Sequence, residues 1–173
     1  MLTGNEIMQR RACGDIQIVP FNPAQLNPNS YNLRLADEIV IYNEAVLDSH
    51  KVNKTEKIRI PPEGIVLSPG RVYLASTEEW TETYNLIPCI DGRSSVGRLG
   101  IGIHMTAGFG DIGFKGRWTL EIYVQQPVRV YAGDELCQIY YELPDGEITD
   151  TYHGKYQGQN GTVESRMWQD GEC

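Results

Sequence analysis

The chain has 173 residues, of which 40% are hydrophobic and 22% charged. That balance is ordinary for a soluble globular domain with enough length for a sizeable core. Acidic residues outnumber basic ones 23 to 15, for a net charge of −8. This argues against a general binder of nucleic acid or anionic membrane, because phosphate-rich partners are bound by basic faces. It leaves room for a local basic pocket that takes one phosphorylated small molecule. No run approaches the roughly 18 apolar residues of a membrane helix. The opening MLTGNEIMQRR lacks the apolar stretch of a signal peptide, so a cytoplasmic location is expected. Cys13, Cys89, Cys137 and Cys173 show no short metal spacing and are expected to be reduced, mostly buried thiols.

In chain order, Thr3 with Glu6 three residues on is a capping-box pattern, and it predicts a helix from Thr3 to Arg11 that Gly14 ends. Asp15 to Pro20 alternates as a strand. The prolines and asparagines between Asn22 and Asn32 make a turn-rich connection. Tyr31–Leu35 and Glu38–Tyr42 then read as two more strands, and His50–Glu56 as a solvated loop. Lys57–Ile60, Gly64–Leu67 and Val72–Ser76 continue the β pattern between Pro61-Pro62 and Pro69-Gly70. Glu78–Asn85 is polar apart from Trp80. Leu86–Ile90, Arg117–Val124, Val128–Tyr131 and Leu136–Glu142 complete an all-β pattern: a sandwich, jelly roll or barrel in one domain spanning residues 1–173. From about residue 145 the chain turns polar and glycine-rich. That stretch is either a disordered tail or a lid that orders over a ligand.

Residues Asp91 to Glu121 concentrate the chemistry. Two arginines and two serines in Arg93-Ser94-Ser95-x-x-Arg98 suit phosphate oxygens, and a short helix starting near Ser94 would add backbone N–H donors. The alternative is a plain surface turn. Glu121 shares a strand face with Thr119 and Tyr123, opposite Trp118, Leu120, Ile122 and Val124. It is either a solvent-facing carboxylate or a general acid/base facing a pocket. Asp111 sits in a glycine-rich loop and suits a sugar hydroxyl or a turn. His104 reads as structural. The H-x-E and P-C-x-x-C pair of zinc deaminases, the GxSxG elbow and the P-loop are all absent. Composition and pattern stop there, short of a reaction.

The run Asp91–Gly100, then His104-Met105-Thr106-Ala107-Gly108, Asp111-Ile112-Gly113-Phe114 and Thr119-Leu120-Glu121, resembles the dCTP deaminase branch of the dCTP deaminase/dUTPase superfamily. Asn29–Leu35 and Gly154–Gln159 extend the likeness towards both ends. The resemblance implies a distorted jelly-roll, dUTPase-like fold with a short N-terminal helix and a C-terminal lid over residues 145–173. It also implies a homotrimer with active sites between subunits. Glu121 matches the catalytic glutamate, and Ser94 and Arg98 match residues that position the water and stabilise developing charge. Arg93 and Ser95 belong to the same phosphate-binding run. Ala107 joins the substrate-binding set, Asp111 matches the residue at the 3′-hydroxyl, and Phe114 packs on the sugar. Thr119 and Leu120 contribute backbone to the base pocket, and Tyr152, Lys155 and Gln159 close on the triphosphate. Mg²⁺ comes with the triphosphate rather than on protein ligands, and no zinc is used.

The substrate implied is dCTP, and dTTP, which inhibits relatives, is the further ligand implied. The leading reading is release of dUTP and ammonia, supplying dUTP for dUMP and dTTP synthesis. The alternative is a bifunctional enzyme that releases dUMP and pyrophosphate. A plain dUTPase and a non-catalytic nucleotide-binding module rank below these. Three positions depart from the family pattern: Ile112 after the aspartate, Phe109 where some deaminases carry a basic residue, and the short spacing between Tyr152 and Lys155.

Overall fold

The helix expected at the start of the chain forms with half of its capping box. The computed structural model describes residues 1–171; Cys173 lies outside them. Helix α1 (Gly4–Cys13) opens on extended Thr3, whose Oγ1 accepts from the Glu6 N–H at 3.3 Å. Glu6 does not reach back to complete the box. Its carboxylate takes Arg10 Nε at 2.8 Å instead. Gly14, at φ +86°, closes the helix in a left-handed turn that a residue with a Cβ rarely adopts.

Strand β1 (Ile16–Val19) buries Ile16 and Ile18 and exposes the residues between them. The two strands expected between Tyr31 and Tyr42 are one twelve-residue strand, β2 (Tyr31–Tyr42). A register shift between Leu35 and Ile39 absorbs the Ala36-Asp37-Glu38 interruption, so pairing resumes beyond it. Next come β3 (Thr55–Arg59), β4 (Ile65–Leu67) and β5 (Tyr73–Thr77). The polar Glu78–Asn85 segment contains β6 (Trp80–Thr83), whose Thr81 and Thr83 are buried. The remainder is β7 (Ile87–Gly92), α2 (Ser94–Arg98), β8 (Ile101–Gly102), β9 (Lys115–Gly116), β10 (Thr119–Val124), β11 (Val128–Val130) and β12 (Glu135–Glu142).

The main sheet runs β7-β12-β2-β5-β10-β8, with β3 also on β2; β1-β6-β9 and β11-β4 form smaller sheets beside it. This is the mostly-β, barrel-like architecture expected. Leu33, Ile39, Leu120, Ile122 and Ile139 meet in its core, each fully buried. Strand β10 keeps its two faces apart. Leu120, Ile122 and Val124 point inward, while Thr119, Glu121 and Tyr123 are half-buried on the other side.

The polar C-terminal stretch is docked on its own chain rather than solvated. Tyr152 N–H donates to Ile112 O at 2.7 Å and Gly158 N–H to Lys115 O at 2.8 Å. Arg117 N–H returns to Gln159 O at 3.0 Å. Val163 N–H reaches Thr119 Oγ1 at 3.2 Å and Ser165 N–H reaches the Tyr42 hydroxyl at 2.9 Å. Backbone donors and acceptors in a polar segment need partners as much as those in a strand, and here the edges of β9 and β10 supply them.

Candidate active site

Thr119 and Glu121, on the half-buried side of β10, form the floor of a cavity of about 1140 Å³. The loop 104–111 walls one side, and residues 42–47 with 69–72 wall the other. The docked C-terminal stretch crosses above, through Tyr152, Tyr156, Gln159 and residues 163–165. Glu121 is half-buried in this floor, so it is neither a solvent-face residue nor a core one. Its Oε2 accepts from Met105 N–H at 2.8 Å, and its own N–H donates to Ile103 O at 2.9 Å. The carboxylate is therefore oriented by the loop that walls the cavity. Across the antiparallel pairing, Leu74 of β5 lies opposite Glu121 and Ser76 opposite Thr119.

Asp111 is exposed at the other end of the same cavity, in a turn closed by Phe114 N–H donating to Asp111 O at 3.1 Å. Gly110 presses this loop onto Trp118, where a Cβ would lie 2.5 Å from the indole. The Phe114 ring sits 4.9 Å from Trp118 and 6.0 Å from Tyr152. One aromatic thus joins loop, strand and tail. Trp118 is fixed in turn, its Nε1–H donating to Thr81 Oγ1 at 3.0 Å.

Of the residues expected at the site, the structure gathers Ala107, Asp111, Phe114, Thr119, Glu121, Tyr152 and Gln159 around this cavity. It does not bring the others there. Arg93, Ser94, Ser95 and Arg98 lie at and within α2, outside the lining. Val96 pins that helix to the core, and Ser94, Ser95 and Arg98 stay exposed. Leu120, expected to contribute only its backbone, turns its side chain into the core. Lys155 is paired with Asp170 at 2.6 Å. His104, expected as structural, lines the cavity with Nε2 at 3.8 Å from Asp91 Oδ1, and its buried Nδ1 has no partner among the described residues.

Sequence reading missed Tyr42, Arg71 and Tyr156. Burial pushes the Tyr42 phenol up from its ordinary value, and its oxygen accepts from Ser165 N–H. Arg71 donates to Tyr42 O at 2.8 Å. Only Tyr42 left a trace in the sequence, as the last residue of an alternating run. The lining carries Glu44, Asp111, Glu121 and Glu164 against Arg71, a balance that favours no polyanion by itself.

The fold class is that of the crystal structure of 2′-deoxycytidine 5′-triphosphate deaminase from Agrobacterium tumefaciens. The TM-score is 0.67 at 21% identity, covering 83% of this chain and 47% of that one. The dCTP deaminase-like family matches residues 1–143, and the chain belongs to that family. A relative from Leptospira biflexa serovar Patoc, named dCTP deaminase, dUMP-forming, is 51% identical over 172 residues, covering 99% of this chain and 98% of its own. A relative of the same name from Hathewaya histolytica is 54% identical over 172 residues, with 99% of each chain covered. Both names match the second of the two leading readings of the sequence rather than the first.

Proposed function

We propose that this protein converts dCTP to dUMP, ammonia and pyrophosphate, consuming two waters. The observation that carries the reading is the joint placement of Glu121 and Asp111 on one cavity, with the Glu121 carboxylate oriented by Met105 N–H. The choice of dUMP over dUTP as product is supported by the names of relatives that share half of this sequence over its full length.

In this reading Glu121 takes a proton from water, and the hydroxide attacks C4 of cytosine. The same carboxyl returns protons to N3 and to the departing nitrogen, the C4–N4 bond breaks, and ammonia leaves. A second water attacks the α-phosphorus and pyrophosphate departs. Asp111 meets the 3′-hydroxyl and Phe114 packs on the sugar, while the backbone of Thr119 and Leu120 holds the base. Tyr152 and Gln159 secure the triphosphate from the docked tail, and Lys155 would join them on leaving its ion pair with Asp170.

A triphosphate needs more positive charge than Arg71 offers. Homotrimer assembly would bring the α2 of a neighbouring subunit to each cavity, with Ser94 and Arg98 on the water and Arg93 and Ser95 on phosphate. Mg²⁺ travels on the phosphate oxygens.

Incubation with dCTP and Mg²⁺, with products separated by chromatography, tests the reading. Ammonia with dUMP and pyrophosphate is expected. Accumulated dUTP would move the protein to the mono-functional class, turnover of dUTP alone to the dUTPases, and no turnover to the binding modules. Glu121→Gln should lower ammonia release by at least about a thousandfold and leave dCTP affinity within a few-fold, because the loss falls on proton transfer. Activity within a few-fold of the unsubstituted protein would remove Glu121 from its assigned role.

A further inference from the structure

Arg93 is anchored in a way its neighbours in the Arg-Ser-Ser run are not. Its Nη1 donates to Glu135 O at 2.9 Å and lies 3.0 Å from Glu135 Oε2. The first is a hydrogen bond and the second a charge contact, and both fall on Nη1; among the described residues the Nε–H and Nη2 edge makes no hydrogen bond, and it is the edge that matches two phosphate oxygens. The Glu135 carboxylate is itself held, because Asn32 Nδ2 donates to its Oε2 at 2.7 Å. Asn32 is buried, and its Oδ1 takes Asn27 Nδ2 at 2.7 Å. The backbone beside Arg93 is pinned from the same strand, with Gln138 Nε2 donating to Gly92 O at 3.2 Å. Strand β12 lies between β2 and β7, so it can tie the Asn32 segment on one side to the Gly92-Arg93 corner on the other.

We propose that Glu135, braced by Asn32, is a positioning residue that aims the open edge of Arg93 at the phosphate chain of the nucleotide. The inference rests on the proposed function for the identity of that anion. A carboxylate beside an arginine lowers the pair's net charge, so the pair gains nothing as a simple attractor of anions. What it supplies is a guanidinium whose side-chain freedom is already lost before the ligand arrives. Three roles for Glu135 therefore predict different outcomes on its removal. Positioning predicts weaker phosphate binding, charge compensation predicts tighter binding, and a purely structural role predicts lower stability with unchanged binding per folded molecule.

The experiment titrates inorganic tripolyphosphate into the full chain by calorimetry, for the unsubstituted protein, Glu135→Gln, Arg93→Gln and the double variant. KM and kcat for dCTP are measured in parallel. Glu135→Gln should weaken tripolyphosphate and raise KM by about tenfold each, while kcat stays within about twofold. In the Arg93→Gln background the second substitution should cost nothing more, because Glu135 acts through that arginine. Asn32→Ala, which leaves both partners of the pair in place, should reproduce the loss in weaker form and serves if Glu135→Gln does not fold. Unchanged or tighter tripolyphosphate binding in the Glu135 variant would overturn the proposal. So would a loss that adds to that of Arg93→Gln, or failure of the unsubstituted protein to bind tripolyphosphate. If the tripolyphosphate pattern holds but dCTP is not turned over, the functional reading falls and the positioning role stands.

Discussion

At the scale of single residues, Glu121 and Phe114 carry different parts of the site. The alternation of β10 placed Glu121 opposite Leu120 and Ile122 and so exposed the choice between a solvent face and a pocket face. What decides the choice is the loop at Met105, sixteen residues upstream, whose N–H meets the carboxylate at 2.8 Å. No local pattern encodes that contact, and it becomes readable only once the fold brings loop and strand together. Phe114 is legible only through family likeness, since a phenylalanine after Gly113 is equally a core residue. The structure makes it both: 7% exposed, yet on the cavity wall between Trp118 and Tyr152. In the proposed function this ring packs on the sugar, where it would leave no room for a 2′-hydroxyl. Phe114→Leu should therefore narrow the preference for dCTP over CTP by about tenfold, read as the ratio of kcat/KM values. An unchanged ratio would place the ribose discrimination elsewhere.

At the scale of elements, helices and strands with strong local signals were readable, and those defined by pairing were not. The Thr3 cap and Gly14 stop framed α1 to within two residues at its C-terminal end, because both signals act through adjacent backbone. β6 hid in a polar segment. Its backbone is paired on both edges, by β1 and by β9, and its threonines are buried, with the Thr81 hydroxyl donating to Gly116 O at 3.4 Å. Thr81 Oγ1 accepts the indole N–H of Trp118, the residue against which the Asp111 loop packs. Thr81→Val keeps the shape and removes that acceptor, leaving a buried donor unsatisfied. It should cost about 1–3 kcal/mol, lowering the melting temperature by roughly 2–10 °C on the scale for chains of this size. A melting temperature unchanged within a degree would mean that the indole finds another acceptor.

At the scale of the whole molecule, the cavity and the Arg-Ser-Ser run occupy different places on one chain. The cavity holds both carboxylates, the aromatic cluster and the docked tail, while the arginines and serines that made the sequence look like an anion binder stand outside it on α2. Sequence proximity suggested one compact site between Asp91 and Glu121; the cavity lining takes in the second half of that stretch and leaves α2 out. β7, which leads into α2, sits at one edge of the main sheet, while β8, which follows α2, pairs with β10. The shared site of the proposed function would bring the two together, and it makes a prediction that neither a monomeric site nor a merely structural α2 makes. Glu121→Gln and Arg98→Ala should each be inactive alone. Mixed after dissociation and reassembly together, they should regain activity, because a cavity with intact Glu121 can face a neighbour with intact Arg98. Random mixing in equal parts leaves about one quarter of the cavities with both residues, so recovery should approach that fraction of the unsubstituted rate. The double variant, which carries both changes on one chain, should regain nothing under the same treatment. If the mixture stays as inactive as its components, Arg98 serves the cavity of its own chain or none.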